Sequence, residues 1–259
     1  MPREVENPYE KLEGKWWKGN LHTHSTGSDG ILAPEEVAKW YKANGYDFLA
    51  ITDHFTQTKC VSCPENFLLI PGEEVNDPIH VLCYNANKSI GLKGISVPDA
   101  IDASVKAGGM VIISHPTWSA LSSADMLKLT GFTAIEIYNE VCVKLIDKGY
   151  SIVQWDELLN AGAKVWGVSS DDAHFKPSHR GDHGKAWIMV NAAELTAESI
   201  LDSVKKGKFF ATTGPKFDNI MVENDTISVK TSPVKTVIFH GQGRWGKIIE
   251  NEDGSLVTE

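Results

Sequence analysis

The chain has 259 residues, of which 42% are hydrophobic and 23% charged, and this composition excludes a disordered or fibrous protein. Its formal net charge of −9 argues against a protein that coats nucleic acid, because phosphate backbones are bound through clustered Lys and Arg. A phosphate substrate is still compatible with this charge, since bound divalent cations can make a pocket electropositive.

No run of about 18 apolar residues is present, and residues 1–20 contain no apolar signal core. We therefore expect a cytoplasmic protein that does not associate with membranes. The four cysteines form no dense framework, so we expect reduced thiols at Cys60, Cys63, Cys83 and Cys142. Cys60 and Cys63 are spaced as a redox pair or half a zinc site, but no second pair accompanies them, and we expect no chemical role.

In chain order, apolar runs predict a first strand at 19–21, a helix from Pro34 to Asn44, and strands at 48–51, 67–70 and 80–84. A helix starting at Pro98 precedes a strand at 110–113, and a short helix around Met126 precedes a strand at 134–138. A helix at 151–160 then leads to strands at 164–168 and 186–190. A helix at 196–206 and a strand at 209–213 complete this region.

Continuous apolar strands that alternate with helices predict a parallel sheet covered on both faces, and six or seven such units favour a barrel. After Gly214 and Pro215 the helical pattern ends, and short strands at 220–222, 226–229 and 236–239 alternate with turn residues. We predict an α/β barrel domain at 1–213 and a small antiparallel β appendage at 214–259.

Five clusters of metal-binding residue types follow predicted strands, and a histidine also begins the strand at 80–84. They are His22-Thr23-His24, Asp53-His54, Glu73-Glu74, His115-Pro116 and Asp172-Ala173-His174, with His80 as the sixth position. Taken alone, Glu73-Glu74 would be a solvated loop and His80 a core histidine. Because strand ends meet at one rim of a barrel, their joint position predicts a metal centre with two or more ions.

The chemistry of these residues indicates which ions they would bind. Side chains alternate along an extended segment, so His22 and His24 point to the same side and can hold one ion, as can Asp172 and His174. Mixed nitrogen and oxygen ligands favour zinc, manganese or iron over magnesium alone. A carboxylate such as that of Glu74 can bridge two ions.

The motifs, in order, closely resemble those of the PHP (polymerase and histidinol phosphatase) superfamily. The resemblance covers roughly residues 18–213 and rests on Leu21-His22-Thr23-His24-Ser25, Ser28-Asp29-Gly30, Ile51-Thr52-Asp53-His54, Pro71-Gly72-Glu73-Glu74-Val75, His80-Val81-Leu82, Ser114-His115-Pro116 and Asp172-Ala173-His174. It implies a distorted (β/α)7 barrel with two or three divalent metal ions, zinc, manganese or iron.

The resemblance also implies how the ligands are shared. One ion would be held by His22, His24, Glu74 and Asp172. Glu74 would bridge to a second ion held by His80 and His115. A third would be held by Asp29, His54 and His174, although some relatives have histidine at the position of Asp29.

Three further segments look like the CehA/McbA metallohydrolase branch of this superfamily: Gly19-Asn20-Leu21-His22-Thr23-His24, Gly45-Tyr46-Asp47-Phe48-Leu49 and Thr213-Gly214-Pro215 with its β-rich continuation. The connection from Tyr84 to Val97 is short, so the helical insertion of the nucleotide-phosphatase branch is not expected. This favours a small-molecule substrate over a large nucleotide.

The leading hypothesis is a metal-dependent phosphoesterase that hydrolyses a small phosphomonoester, or a phosphodiester, with a metal-bridging hydroxide. Arg180 is a candidate phosphate clamp, and the flanking His179 and His183 are candidates for substrate contact. Asp53 is a candidate for proton transfer, or for orienting a ligand through a hydrogen bond. The oligomeric state does not follow from the sequence.

Two other functions fit the same residues. The metal centre could hydrolyse a carbamate or carboxylic ester, and an apolar cup of Trp118 and Phe175 would favour an aryl ester, whereas Arg180 and Lys185 converging on the pocket would favour phosphate. A non-catalytic, metal-stabilised barrel would instead show metals that are fully ligated by the protein.

Overall fold

The computed structural model describes residues 7–10, 12–75, 78–84, 86, 88–91, 93–223 and 226–259. Nine strands of this described part form one central sheet: β1 Lys15–Asn20, β2 Phe48–Ile51, β3 Leu68–Val75, β4 Val81–Tyr84, β5 Met110–Ile113, β6 Ala134–Asn139, β7 Trp166–Ser170, β8 Trp187–Ala192 and β9 Phe209–Thr212. The helices are α1 Pro34–Ala43, α2 Val97–Lys106, α3 Ser123–Met126, α4 Glu140–Ile146, α5 Ile152–Asn160 and α6 Ala197–Lys205, with a 3₁₀ turn at Pro177–His179. The predicted α/β barrel-like class is confirmed.

The sheet is mixed rather than wholly parallel. Its strand order is β7-β6-β5-β4-β3-β2-β1-β8-β9. The pairs β1–β2, β2–β3, β5–β6 and β6–β7 are parallel, whereas β3–β4, β4–β5, β1–β8 and β8–β9 are antiparallel. The expectation of a parallel sheet is wrong at β3–β4 because only residues 76–80 connect these strands, and a parallel pair needs a crossover of a dozen residues or more.

A side chain helps to close the barrel between its edge strands. The Ser169 hydroxyl on β7 donates to the Trp187 carbonyl at 2.7 Å and accepts from the Thr212 backbone N–H at 3.1 Å. Trp187 lies on β8 and Thr212 on β9, so one hydroxyl connects β7 to both. The result is a nearly closed, barrel-like sheet whose strand ends form a continuous rim.

Strand β2 illustrates why the apolar runs of the sequence are continuous. Phe48 and Ala50 pack inside the barrel, while Leu49 and Ile51 pack outside it against α1, where Val37 is fully buried. A strand that is buried on both faces needs apolar residues at every position.

Of the elements that differ from the sequence-based expectation, strand β3 and helix α4 bear on the site. Strand β3 does not end at residue 70 but continues to Val75. Pro71 is tolerated because it lies where pairing with β2 ends and, from Gly72, pairing with β4 begins. Helix α4 was not expected after β6; the Asn139 side chain caps its first turn by accepting from the Cys142 N–H at 3.0 Å.

The C-terminal region contains two antiparallel hairpins, one of β10 Phe217–Glu223 with β11 Thr226–Thr231 and one of β12 Val237–His240 with β13 Gly246–Ile249. The antiparallel character predicted for this region is confirmed. A division into domains at residue 214 stays a prediction. Phe217 packs edge-to-face on Phe210 of β9, with ring centroids 5.5 Å apart.

Cys60 and Cys63 form a disulfide, so the expectation of reduced thiols is wrong for this pair. Their Cα atoms are 5.7 Å apart, within the usual range for a disulfide. Cys83 and Cys142 are free and buried. No helix in the described ranges has the length and hydrophobicity to cross a membrane. Two sequence-based expectations fall partly on residues outside those ranges. The expected lack of an apolar signal core involves residues 1–6, and the short connection after β4 involves residues 85, 87 and 92.

Candidate metal centre

The two histidine motifs at the ends of β1 and β7 run side by side at the rim. Thr23 and Ala173 form a parallel bridge, in which the His24 N–H donates to the Ala173 carbonyl at 2.8 Å. The Asp172 N–H donates to the His22 carbonyl at 3.0 Å. Because the two segments are held in this register, both alternating pairs of side chains face the same side.

The remaining candidates reach the same rim from β2 to β5. His54 and Glu74 form a second parallel bridge beyond the end of β2. Strand β4 runs in the opposite direction, so His80 at its start lies at the rim where the neighbouring parallel strands end. The Ser114 N–H donates to the His80 carbonyl at 3.1 Å, which places His115 beside it.

Four side-chain atoms form a compact, buried group at the centre of the rim: His22 Nε2, His24 Nε2, Glu74 Oε2 and Asp172 Oδ1. The two nitrogens are 3.2 Å apart. Glu74 Oε2 lies 3.3 Å from His22 Nε2 and 3.2 Å from His24 Nε2, and Asp172 Oδ1 lies 3.2 and 3.1 Å from the same two atoms. All four atoms therefore point at one common volume.

These atoms fit a divalent cation. Ligands about 2.0–2.1 Å from a tetrahedral ion are roughly 3.3 Å from one another, close to the observed separations. Asp172 Oδ1 is buried and has no hydrogen-bond partner, and a buried carboxylate oxygen of this kind is costly unless a cation pairs with it. The residues implied by the resemblance for a first ion thus have the geometry and the chemistry to hold one.

The second oxygen of Glu74 faces a different pair of rings. Glu74 Oε1 lies 2.8 Å from His80 Nδ1 and 3.2 Å from His115 Nε2. Glu74 is 1% exposed, and its two carboxylate oxygens point to two separate groups of ligand atoms. This is the arrangement that a carboxylate shared between two cations requires.

The third predicted group is looser and contains a competing charge. Asp29 Oδ2 lies 3.2 Å from His174 Nε2, but Asp29 Oδ1 is 3.8 Å from His54 Nε2. Lys176 Nζ lies 2.9 Å from Asp29 Oδ2. The Asp29 side chain is 45% exposed, unlike the buried acids of the first group. An ammonium group therefore already pairs with the only carboxylate of this third group.

Glu136 on β6 is a buried partner of the site that the sequence reasoning missed. Its Oε1 lies 2.8 Å from His22 Nδ1, the ring nitrogen opposite the one that faces Glu74 and Asp172. Its Oε2 accepts from the His115 backbone N–H and from Asn139 Nδ2, both at 2.9 Å. A carboxylate in this position fixes the orientation and tautomer of a ligating imidazole. The available signal was a single charged residue within the apolar run 134–138.

Asn139, at the end of β6, connects Glu136 to the ligand group. Its Nδ2 also donates to Asp172 Oδ2 at 3.1 Å, and this leaves Asp172 Oδ1 facing the histidines. The sequence alone predicts no role for Asn139.

Asp53 is buried but faces the loop after β1 rather than the ligand group. It accepts hydrogen bonds from the Ser25 N–H at 2.7 Å, from the Ser28 hydroxyl at 2.7 Å and from the Thr58 hydroxyl. Burial opposes ionisation of Asp53, but these hydrogen bonds outweigh it and lower its pKa. Its position suits an anchor for the loop that carries His24 and Asp29.

Glu73 and Glu74 point to opposite faces of β3, as alternation along a strand requires. The Glu73 carboxylate accepts from the Ser89 hydroxyl at 2.6 Å and from the backbone N–H groups of Ile90 at 2.5 Å and Gly91 at 3.1 Å. It therefore anchors the segment after β4, away from the ligand group.

Two candidate ligands have a left-handed backbone conformation, which is uncommon for residues other than glycine. The φ angle is 26° at His115 and 52° at Asp172. Such conformations are held by surrounding contacts and cluster at functional sites. Here the Glu136 carboxylate holds the His115 N–H, and the His22 carbonyl holds the Asp172 N–H.

The ligand group forms the floor of a cavity of about 220 Å³. One wall is apolar and consists of Trp118, Val141, Cys142 and Leu145. The other is polar, with Lys176 and His179 from the turn after β7. The candidate ligands that line it are His24, Asp29, His54, Glu74, His80, His115, Asp172 and His174.

Three residues expected at the pocket are absent from its lining. The Arg180 and Lys185 side chains are exposed, and Lys185 contributes only its backbone N–H, to Asp171 at 2.8 Å. Phe175 instead stacks on His183, with centroids 4.6 Å apart, in a cluster outside the cavity. Among the described residues, Lys176 is the one lysine or arginine that lines the cavity, and Arg180 as a phosphate clamp stays a prediction.

His179 faces the cavity with a fixed orientation. Its Nδ1 lies 2.9 Å from Asp182 Oδ2, and the Asp182 side chain is fully buried. Asp182 also accepts from the His174 N–H at 2.8 Å, so one carboxylate fixes both the ring of His179 and the backbone of a candidate ligand.

The electrostatics of the rim favour positive charge. Burial lowers the pKa of His24, but the Asp172 and Glu74 carboxylates beside its Nε2 outweigh this effect and raise the pKa to about 9. Burial likewise opposes ionisation of Glu74, and the adjacent His22 and His80 hold its pKa well below the usual range. In the protein without metal, protons thus occupy histidines that a divalent cation would need in their neutral form.

No known family profile matches the chain. Residue for residue, it is 51% identical over 37 residues to the DNA polymerase/3'-5' exonuclease PolX of Bacillus subtilis and 33% identical over 82 residues to a 5'-3' exoribonuclease of Haemophilus influenzae. These segments cover 14% and 28% of this chain. They span only 6% and 30% of the two relatives, so the chain matches less than a third of either.

The fold is similar to that of a two-domain protein from Bacteroides vulgatus described as containing a predicted PHP-like metal-dependent phosphoesterase. The superposition gives a TM-score of 0.60 at 17% identity and covers 96% of this chain and 90% of that one. At this identity the likeness shows the fold. It agrees with the distorted PHP-type barrel expected from the motifs.

Proposed function

We propose that the protein is a metal-dependent hydrolase of the PHP superfamily that cleaves a small phosphomonoester. The observation that carries this proposal is the buried group of His22 Nε2, His24 Nε2, Glu74 Oε2 and Asp172 Oδ1, with the other Glu74 oxygen directed at His80 and His115. The similarity in fold to a protein described as containing a predicted PHP-like metal-dependent phosphoesterase, and the similarity in sequence to two nucleases, support phosphoester chemistry.

Divalent cations at such a site polarise a phosphoryl oxygen and lower the pKa of a bound water. The residues of this chain would hold the cations, orient their histidine ligands and bind the phosphate. Glu136 holds His22 in the tautomer whose Nε2 carries a lone pair towards the ligand group, and Asp182 holds His179 towards the cavity. Lys176 supplies a positive charge for phosphoryl oxygens on the polar wall.

We propose two bound ions rather than three. Two groups of ligand atoms share Glu74, whereas in the third group Lys176 already pairs with Asp29 at 2.9 Å. A divalent cation beside Asp29 would have to displace this ammonium group or tolerate its repulsion. Zinc, manganese and iron all suit the mixture of imidazoles and carboxylates.

The cavity size supports a small substrate. Pockets for drug-sized ligands are typically about 300–1,000 Å³, and 220 Å³ is below that range. A carbamate or carboxylic ester hydrolase is the alternative, because Trp118 and Leu145 would suit an aryl ester. Lys176, which lines the same cavity, favours the phosphoester. The CehA/McbA-like branch rests on the sequence motifs alone.

The test is to purify the protein with manganese, iron or zinc and to assay a phosphomonoester, a phosphodiester, a naphthyl carbamate and a naphthyl acetate in parallel. We expect phosphate release that Asp172→Ala abolishes, because Asp172 contributes a central ligand oxygen. His240→Ala, which removes an exposed histidine of β12, is the control and should retain full activity. Naphthol release without phosphate release would replace the proposal with the ester hydrolase.

A further inference from the structure

The apolar wall of the cavity extends from the ligand group to the surface. Trp118 meets the His115 ring edge-to-face, with centroids 4.9 Å apart, and is still 38% exposed. Val141 and Leu145 are one helical turn apart on α4, and both line the cavity. Val141 is buried, whereas Leu145 is 47% exposed. Two large apolar side chains of the cavity lining, Trp118 and Leu145, are thus partly exposed to water, although burying an apolar surface is more favourable than exposing it.

The loop that carries Trp118 is held in place from outside the cavity. The Thr117 hydroxyl donates to the Tyr150 carbonyl at 2.5 Å and accepts from Gln154 Nε2 at 2.8 Å. The Thr117 N–H also donates to the Ser151 hydroxyl at 3.2 Å. Trp118 is therefore presented by a braced loop, as a preformed binding surface requires.

The two walls differ in what they can bind. Lys176 and His179 carry the polar groups that a phosphate needs, whereas Trp118 and Leu145 line the same cavity with apolar surface. Of the described side chains on the apolar wall, Trp118 offers one indole N–H and Cys142 a weakly polar thiol, too few partners for a hydroxyl-rich group that loses its water there. A sugar or polyol placed there would be left with unpaired hydroxyls.

We propose that the substrate is the phosphomonoester of a hydrophobic alcohol or phenol, whose leaving group packs between Trp118 and Leu145, rather than a sugar or polyol phosphate. This inference rests on the proposed function and specifies the substrate class of the same site. The phosphate would face Lys176 and the ligand group, while the apolar leaving group would extend towards the mouth and remove the exposed surface of both side chains from water.

The experiment compares benzyl phosphate with glycerol 1-phosphate, two alkyl esters that differ mainly in the polarity of the leaving group. We expect kcat/KM to be at least about tenfold higher for benzyl phosphate, the scale of discrimination that a hydrophobic pocket gives. Leu145→Ala should lower kcat/KM for benzyl phosphate by a larger factor than kcat/KM for glycerol 1-phosphate. Leu127→Ala, which removes an equally exposed leucine outside the cavity, should change neither.

Trp118→Ala tests the second apolar side chain that the leaving group would contact. Bound metal is measured in the same samples, because Trp118 touches His115. Loss of the preference for benzyl phosphate at unchanged metal content supports the inference, and Trp118→Phe should restore part of it. Equal kcat/KM for the two esters, unaffected by Leu145→Ala, overturns the inference while the phosphoesterase remains. No hydrolysis of either ester overturns the proposed function and this inference with it.

Discussion

Replacing Glu136 by Gln tests whether this buried carboxylate prepares His22 for metal binding. The amide NH2 cannot take the place of Oε2, because the His115 backbone N–H that faces Oε2 can only donate. At Oε1, by contrast, the Ser170 hydroxyl and the His22 ring are both able to accept. The NH2 must therefore face His22 Nδ1, which would then have to accept a hydrogen bond. In that tautomer the proton moves to Nε2, which removes the lone pair that a metal needs.

The expected loss is set by one hydrogen bond to a charged group. Such bonds contribute about 1.5–3 kcal/mol, and about 1.4 kcal/mol corresponds to a factor of ten in affinity. We therefore expect Glu136→Gln to weaken metal binding by about 10–100-fold, the range typical of hydrogen-bonded partners of metal ligands. Because glutamine has nearly the same volume, the fold should be retained.

The assay is a calorimetric metal titration of the apoprotein, with thermal unfolding of the same apoprotein as the check on folding. Glu140→Gln is the matched control: Glu140 is a buried glutamate four residues along, paired with the Tyr138 hydroxyl and Lys144 instead of a ligand histidine. Unchanged metal affinity in Glu136→Gln, together with intact folding, would refute the orienting role of Glu136.

Three further predictions concern the same rim. The pKa of His24 is raised from 6.5 to about 9 in the folded apoprotein, so protonation of His24 stabilises the fold fully below pH 6.5, and this stabilisation is lost as the pH rises through 9. The melting temperature of the apoprotein should therefore fall between these two pH values. Metal binding competes with protons and should become tighter over the same range. Lys176→Met should raise the metal content measured by mass spectrometry from two ions to three per chain, and an unchanged count of three in both proteins would contradict the two-ion site. Cys60→Ser should leave turnover within about twofold, since the disulfide is absent from the cavity lining. It should lower the free energy of unfolding by less than the roughly 3 kcal/mol that a disulfide closing a 15-residue loop contributes, because this disulfide joins cysteines only three positions apart. A large loss of turnover would give Cys60 and Cys63 a role in the site.

Where candidate ligands are two positions apart, their shared orientation could be predicted from the sequence. The alternation of His22 with His24 and of Asp172 with His174 places each pair on one side of an extended segment, whatever the rest of the fold does. The apolar runs before them predicted buried strands, and the structure places these strands in one barrel-like sheet. Their predicted role as metal ligands is what the proposed experiments test.

Features that depend on the direction of strands, or on contacts between distant elements, were not accessible. The reversal of β4 is what brings His80 to the rim, and alternation of apolar residues does not encode strand direction. Glu136 is a single charged residue in an apolar strand, and its partner His22 lies 114 positions away. Arg180 and Lys176 are close in sequence, and only the geometry of the turn after β7 decides which of them faces the cavity.

The most direct test of the metal centre is a crystal structure of the manganese-loaded protein with anomalous diffraction data. The account predicts one peak among His22 Nε2, His24 Nε2, Glu74 Oε2 and Asp172 Oδ1 and a second beside Glu74 Oε1, His80 and His115. Absence of a peak at the four-atom group in fully loaded crystals, or metal bound only elsewhere on the protein, would contradict it.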